Sequence, residues 1–142
     1  MSASDGGIAA NTTLVVVAAA LVDRDGRLLV QQRPQGKPMA GLWEFPGGKI
    51  EPGETPERAL IRELGEELAI DVDHACLAPA CFASDMLGEK HLLLLLYVCR
   101  KWRGTPVAQH ASALRWVRPV ELHALEMPPA DEPLIGLLEA LI

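Results

Sequence analysis

Between Gly47 and Glu67 the chain carries a glycine pair, a proline-opened helix start and three glutamates at fixed spacing, and no other segment constrains the fold as much. Gly47-Gly48 lets backbone approach its surroundings closely, and Pro52-Gly53 forces a turn. Thr55 suits a helix N-cap, Pro56 the first helical position and Glu57 the first turn. Leu60, Leu64 and Leu68 recur at i+4, so the helix should run to about Leu68 with one buried stripe. On it Glu63, Glu66 and Glu67 fall at i, i+3 and i+4 and share a face. Like charges so placed repel by about 0.2–0.5 kcal/mol per pair, and a merely solvated helix gains by interleaving lysine there. Three hard oxygen donors together match Mg²⁺ or Mn²⁺, with water and phosphate oxygens completing the coordination. A loop carbonyl could add one more donor, and Arg62 can hold a neighbouring carboxylate or reach a phosphate oxygen.

The flanking sequence predicts a mixed sheet with helices in one domain over 12–142, preceded by a flexible tail over 1–11. Thr12–Val22 and Arg27–Arg33 read as strands joined by the turn Asp23-Arg24-Asp25-Gly26, hence as a hairpin. Pro34–Leu42 is a loop and Trp43–Ile50 one short strand. Ala75–Ser84 and His91–Trp102 follow as strands linked through Asp85–Glu89, and the run Leu92–Leu96 is too uniform for alternation, which predicts burial on both faces. Ala113–Val117 reads as a last strand and Pro119–Leu125 as a short helix. A terminal helix over Ala130–Ile142 should bury Leu134, Leu137, Leu138 and Leu141.

Composition narrows the partners. The net charge of −6 argues against a nucleic-acid polymer, whose phosphates need a basic face, but not against a phosphate ligand neutralised by a metal. Cys76, Cys81 and Cys99 lack C-x-x-C spacing and read as small buried hydrophobes of a reducing compartment. The start lacks the positive region of a signal peptide and no apolar run approaches the ~20 residues that span a bilayer, so a cytoplasmic location without a membrane partner is expected. A monomer or weak dimer is the expected state.

The string from Gly48 to Ile70 resembles the Nudix box, G-x5-E-x7-R-E-U-x-E-E-x-G-U, where U is apolar. Gly48, Glu54, Arg62, Glu63, Leu64, Glu66, Glu67 and Ile70 stand in register, and Ala69 replaces the second glycine. Leu42-Trp43-Glu44-Phe45-Pro46-Gly47-Gly48-Lys49-Ile50-Glu51 and the tail Pro128–Ile135 are similar to the MutT branch, which clears oxidised nucleoside triphosphates. The resemblance covers nearly the whole chain. It implies an α/β (α+β) Nudix fold, a mixed sheet between helices, and release of pyrophosphate from substrates such as 8-oxo-dGTP by attack of water at the β-phosphorus. It further implies Mg²⁺ (or Mn²⁺) on the Gly47 carbonyl, Glu63, Glu66 and Glu67, with Arg62 supporting them. Lys49 or Arg33 would neutralise phosphate or face the base, beside Gly48.

Two positions depart from that branch. Aligning on Trp102, Gly104, Pro106 and Trp116 puts His110 where MutT-like enzymes carry a loop glutamate; it can take a proton, ligate Mn²⁺, or stand as a plain loop residue. Asp131 replaces an asparagine that reads the 8-oxoguanine edge, and an ionised aspartate only accepts hydrogen bonds. That suits N7–H of 8-oxoguanine or N4 of cytosine, and MutT-like proteins acting on cytosine nucleotides share the aspartate; Asp131 also suits a plain N-cap. Phe45 and Trp43 can stack on a base or simply pack. Modified cytosine nucleotides, ADP-ribose, a nucleotide sugar, or a weakly catalytic nucleotide-binding domain remain the alternatives.

Overall fold

The computed structural model describes residues 12–142, so the tail expected over 1–11 lies outside the described residues. Among the described residues seven strands form two sheets. β1 (Thr13–Leu21), β4 (Gly47–Lys49), β5 (Leu77–Leu87) and β6 (Lys90–Cys99) make a mixed sheet in the order β4-β1-β6-β5. β2 (Leu28–Gln32), β3 (Trp43–Glu44) and β7 (Ala113–Val117) make an antiparallel one in the order β3-β2-β7. β1 runs parallel to β6 from Thr13↔His91 to Leu21↔Cys99, and is the reason for its unbroken apolar sequence. Ala18, Ala20 and Val22 face one core cluster while Val17, Ala19 and Leu21 face the other. α1 (Pro56–Leu68) packs Ala59, Leu60, Leu64 and Leu68 into the second cluster, and α2 (Glu132–Leu141) packs Leu134, Ile135 and Leu138 into the first. The sheets therefore lie between helices, as the Nudix resemblance implies.

α1 starts where the sequence placed it: Thr55 Oγ1 accepts the Arg58 N–H at 3.2 Å, a cap worth about 1 kcal/mol. It ends at Ala69, which adopts φ 59° and ψ 33° and donates its N–H to the Gly65 carbonyl.

Five expectations need correcting. β1 and β2 do not form a hairpin; only the bridge Val22↔Leu28 joins them, because β4 and β6 already occupy both edges of β1. Trp43–Ile50 is two strands, with Phe45-Pro46 carrying the chain from β2 of one sheet to β1 of the other. The β5–β6 turn is only Gly88-Glu89, since pairing continues to Leu87↔Lys90. On α2, Leu137 and Leu141 are 44% and 53% exposed, and Ile135 takes the buried place beside Leu134. The run Leu92–Leu96 is central in its sheet, yet only Leu94 and Leu96 are fully buried. The segment Pro119–Ala124 is a 3₁₀ helix.

Candidate active site

The glycine turn, α1 and the start of α2 converge on a cleft of about 410 Å³, lined among others by Gly47, Gly48, Lys49, Glu67, Arg33, Phe45 and Asp131. β4 supplies the glycines because β1 passes so close: a Cβ on Gly47 would lie 2.0 Å from the Val17 carbonyl oxygen. A Cβ on Gly48 would lie 2.2 Å from Glu63 Oε2. Each glycine is thus required by close approach, Gly47 to backbone and Gly48 to a carboxylate.

Along α1, Arg62, Glu63, Glu66 and Glu67 are held differently. Arg62 grips Glu54 with two bonds, Nε–Oε2 at 2.8 Å and Nη2–Oε1 at 2.9 Å, and also donates to the Lys49 carbonyl at 3.1 Å. This pairing pulls the Glu54 carboxyl down to about 2 and raises Arg62 further above its ordinary range. Nη1 of Arg62 reaches Glu63 at 3.2 Å and Glu66 at 3.3 Å. Burial pushes Glu63 up despite that ion pair, whereas Glu66 is exposed. Glu67 has neutral donors instead: Gln31 Nε2 at 3.0 Å and the Gly47 N–H at 3.1 Å both reach its Oε1. Burial, aided by the charges of Glu63 and Glu44, pushes Glu67 up to about 7.

Asp131, which lines the same cleft just before α2, is 7% exposed. It stands at the N-cap position of α2, but its side chain caps nothing; its carboxylate accepts the Phe45 N–H. Burial and the Glu44 charge push it up to about 7. Arg33 Nε pairs with Glu44 Oε1 at 3.0 Å, and burial raises Glu44 in spite of this. Phe45 is nearly wholly buried within the core, and Trp43 packs against the same core without lining the cleft. The Lys49 side chain is exposed and, among the described residues, has no ion-pair partner. His110 is exposed in the loop before β7 and does not line the cleft; its neighbour Gln109 ties that loop to α1 through the Gly65 and Glu66 carbonyls.

Several residues of the site carry no signal in the sequence. Glu44, which lines the cleft, and Gln31, which reaches it through Glu67, lie near strand ends, where polar residues are usually solvated. Asp85, Met86 and Leu87 enter the cleft from the tip of the β5–β6 hairpin, which pairing alone brings there.

Among the described residues no three His, Cys, Asp or Glu side chains converge on one point. The donor chemistry nevertheless fits a hard divalent cation: Glu67 is a desolvated carboxylate with no cationic partner, beside Glu63 and the Gly47 backbone. Water and phosphate oxygens would have to complete such a site.

Comparison with known proteins agrees with this layout. The NUDIX domain family model matches residues 12–138. The chain is 38% identical to the CTP pyrophosphohydrolase of Escherichia coli K12, over 90% of this chain and 93% of that one. It is 34% identical to the 8-oxo-dGTP diphosphatase of the same organism, over 90% and 98%. Its fold superposes on the solution structure of the E. coli ORF135 protein with a TM-score of 0.83, at 36% identity and covering 94% and 93% of the two chains. A chain with every box position but the second glycine in register, Glu63 and Glu67 beside its glycine turn, and this kinship belongs to the Nudix hydrolase family, on its MutT-like branch.

Proposed function

We propose that this protein is a divalent-metal-dependent nucleoside triphosphate pyrophosphohydrolase, acting on oxidised nucleotides such as 8-oxo-dGTP in sanitation of the nucleotide pool. The observation that supports this is the joint lining of one cleft by Glu67, beside the box glycines, and Asp131, just before α2; on this reading the first serves the triphosphate and the second the base. Glu63, Glu66, Glu67 and the Gly47 carbonyl would hold the metal. When bound, a divalent ion would lower the pKa of a water and offset charge growing on the departing nucleoside monophosphate. The water oxygen bonds to the β-phosphorus and the bond to the α–β bridging oxygen breaks, leaving a nucleoside monophosphate and pyrophosphate. Glu67, a half-buried carboxylate with no cationic partner, would take the proton of that water. Lys49 offers the ammonium nearest the glycine turn for phosphate, while Arg33 is engaged by Glu44 at the base end. Arg62 keeps Glu63, Glu66 and the turn in place. His110 has no part in this scheme.

Asp131 favours a second substrate within the same reaction. In its ionised form this carboxylate accepts and cannot donate, which suits the N4 amino group of cytosine as well as N7–H of 8-oxoguanine; raised to about 7, it is protonated in part near neutral pH and then also donates. Similarity to a CTP pyrophosphohydrolase supports this reading too. The test is kcat/KM for 8-oxo-dGTP, dGTP, dCTP and 5-substituted dCTP with Mg²⁺ and with Mn²⁺, beside Glu67→Gln. Pyrophosphate release that survives chelation, or survives in Glu67→Gln, refutes the mechanism. Preference for dCTP over 8-oxo-dGTP assigns the cytosine reading.

A further inference from the structure

Gln31 and Asp131 are the two polar residues buried among the described residues, and the reaction above uses only Asp131. Gln31 is 5% exposed. On β2 it follows Leu29 by two positions, so both side chains point toward α1, where Leu29 is wholly buried in the core. The next place on that face holds an amide rather than another aliphatic group. Its Nε2 donates to Glu67 Oε1 at 3.0 Å, the same oxygen that receives the Gly47 N–H at 3.1 Å. Gln31 also lies directly across from Glu44 of β3, close enough for its amide to favour that carboxylate's ionised form, so the amide bears on two acids. Glu44 is anchored on its far side by Arg33 at 3.0 Å.

From this geometry we infer that Gln31 is the positioning residue of the site: a neutral clamp that fixes Glu67 Oε1 between β2 and β4, turns Oε2 toward the ligand, and fastens that arrangement to the Glu44–Arg33 pair of the base end. Neutrality is the point of the choice. Arginine or lysine at this position would hold the carboxylate equally well but would neutralise it, and so compete with a cation for it. Arg62 does hold carboxylates in that way, taking Glu54 with two bonds and Glu63 and Glu66 with one each. An aliphatic residue would leave Glu67 buried with one donor fewer and free to turn. The amide orients the carboxylate and leaves its charge available. This role rests on the proposed reaction for its effect on turnover, but not for its effect on metal binding.

Gln31→Met keeps length and removes the donors, and its Mn²⁺ affinity is measured by electron paramagnetic resonance without nucleotide. Removing a group that orients a metal-ligating side chain lowers metal affinity or activity by about 10–100-fold. We expect weakening of that size, a similar fall in kcat for pyrophosphate release, and KM within about twofold. Wild-type affinity and kcat in a folded Gln31→Met overturn the inference, as does a loss confined to KM. Where Gln31→Met does not fold, the side-chain amide signals of Gln31 in the ¹⁵N-labelled wild type decide: a shift on adding Mg²⁺ supports the clamp, and indifference to saturating Mg²⁺ refutes it. If Gln31→Met loses Mn²⁺ while the wild type binds it but cleaves no triphosphate, the clamp stands and the proposed reaction falls.

Discussion

Ala69→Gly should stabilise this protein although it removes a methyl group and adds no contact. Ala69 closes α1 in the left-handed conformation, at φ 59° and ψ 33°, and its N–H donates to the Gly65 carbonyl at 3.1 Å. For an L-residue that conformation lies about 1–2 kcal/mol above the right-handed one, because Cβ crowds the following carbonyl. Glycine escapes the crowding but has about 0.4–1 kcal/mol more backbone freedom to lose on folding. The difference leaves a net gain of about 0.5–1 kcal/mol, and the side chain is exposed, so little burial is forfeited. For a domain of this size that corresponds to a rise in Tm of about 2–4 °C. The assay is thermal melting by circular dichroism, checked by the urea midpoint at constant m-value. Gly53→Ala is the reverse control: φ is +84° with nothing within 4 Å of the added Cβ, so it should lose about 1 kcal/mol by conformation alone. A Tm for Ala69→Gly that is unchanged or lower refutes the reasoning, and would mean the helix exit relaxes away from the left-handed state.

Three further outcomes follow from the cleft. Asp131 sits at about 7 in the fold against 3.8 in the open chain. The native state therefore binds a proton that the unfolded state releases between those values, and stability falls as pH rises through the window, by at most about 1.4 kcal/mol per pH unit for this group. Asp131→Asn should flatten the slope of the urea midpoint between pH 4.5 and 7; an unaltered slope would show that the carboxyl is not desolvated. Gly47→Ala should prevent stable folding, since its Cβ meets backbone at 2.0 Å. Gly48→Ala should fold and lose turnover, since its Cβ meets only the movable Glu63 carboxylate, and equal melting temperatures for the two would contradict this. His110→Ala should keep kcat within about threefold; a hundredfold loss would restore that residue to the catalytic set.

The sequence made the local parts of this molecule plain. Thr55, Pro56 and the leucine stripe specify α1 through contacts only a few residues apart, and Ala69 was recognisable as a strained position because the resembled pattern holds glycine there. Pairing of strands was less legible. The turn Asp23–Gly26 forms, with Asp23 accepting the Asp25 and Arg27 N–H groups, yet a turn cannot report that both edges of β1 are taken by distant segments. Gln31 escaped for the same reason: its partners come from α1, β3 and β4, and nothing in Leu28–Gln32 separates a buried amide from a solvated strand end. On α2 the leucine spacing fits two faces almost equally, and Ile135 decides between them only through its neighbours in the core.

The lining of the cleft also sets the order in which a visitor can enter. Glu44, Glu67, Asp85 and Asp131 face it against Arg33 and Lys49, and Arg33 is already bound to Glu44. Such a cavity repels a bare triphosphate at long range and accepts one whose charge is already partly neutralised. On the proposed reaction, a nucleotide arriving with its cation would therefore enter more readily than a free one. Raising nucleotide above the available Mg²⁺ should then slow turnover, and ionic strength should act on the rate of entry far more than on the rate of the bond-breaking step.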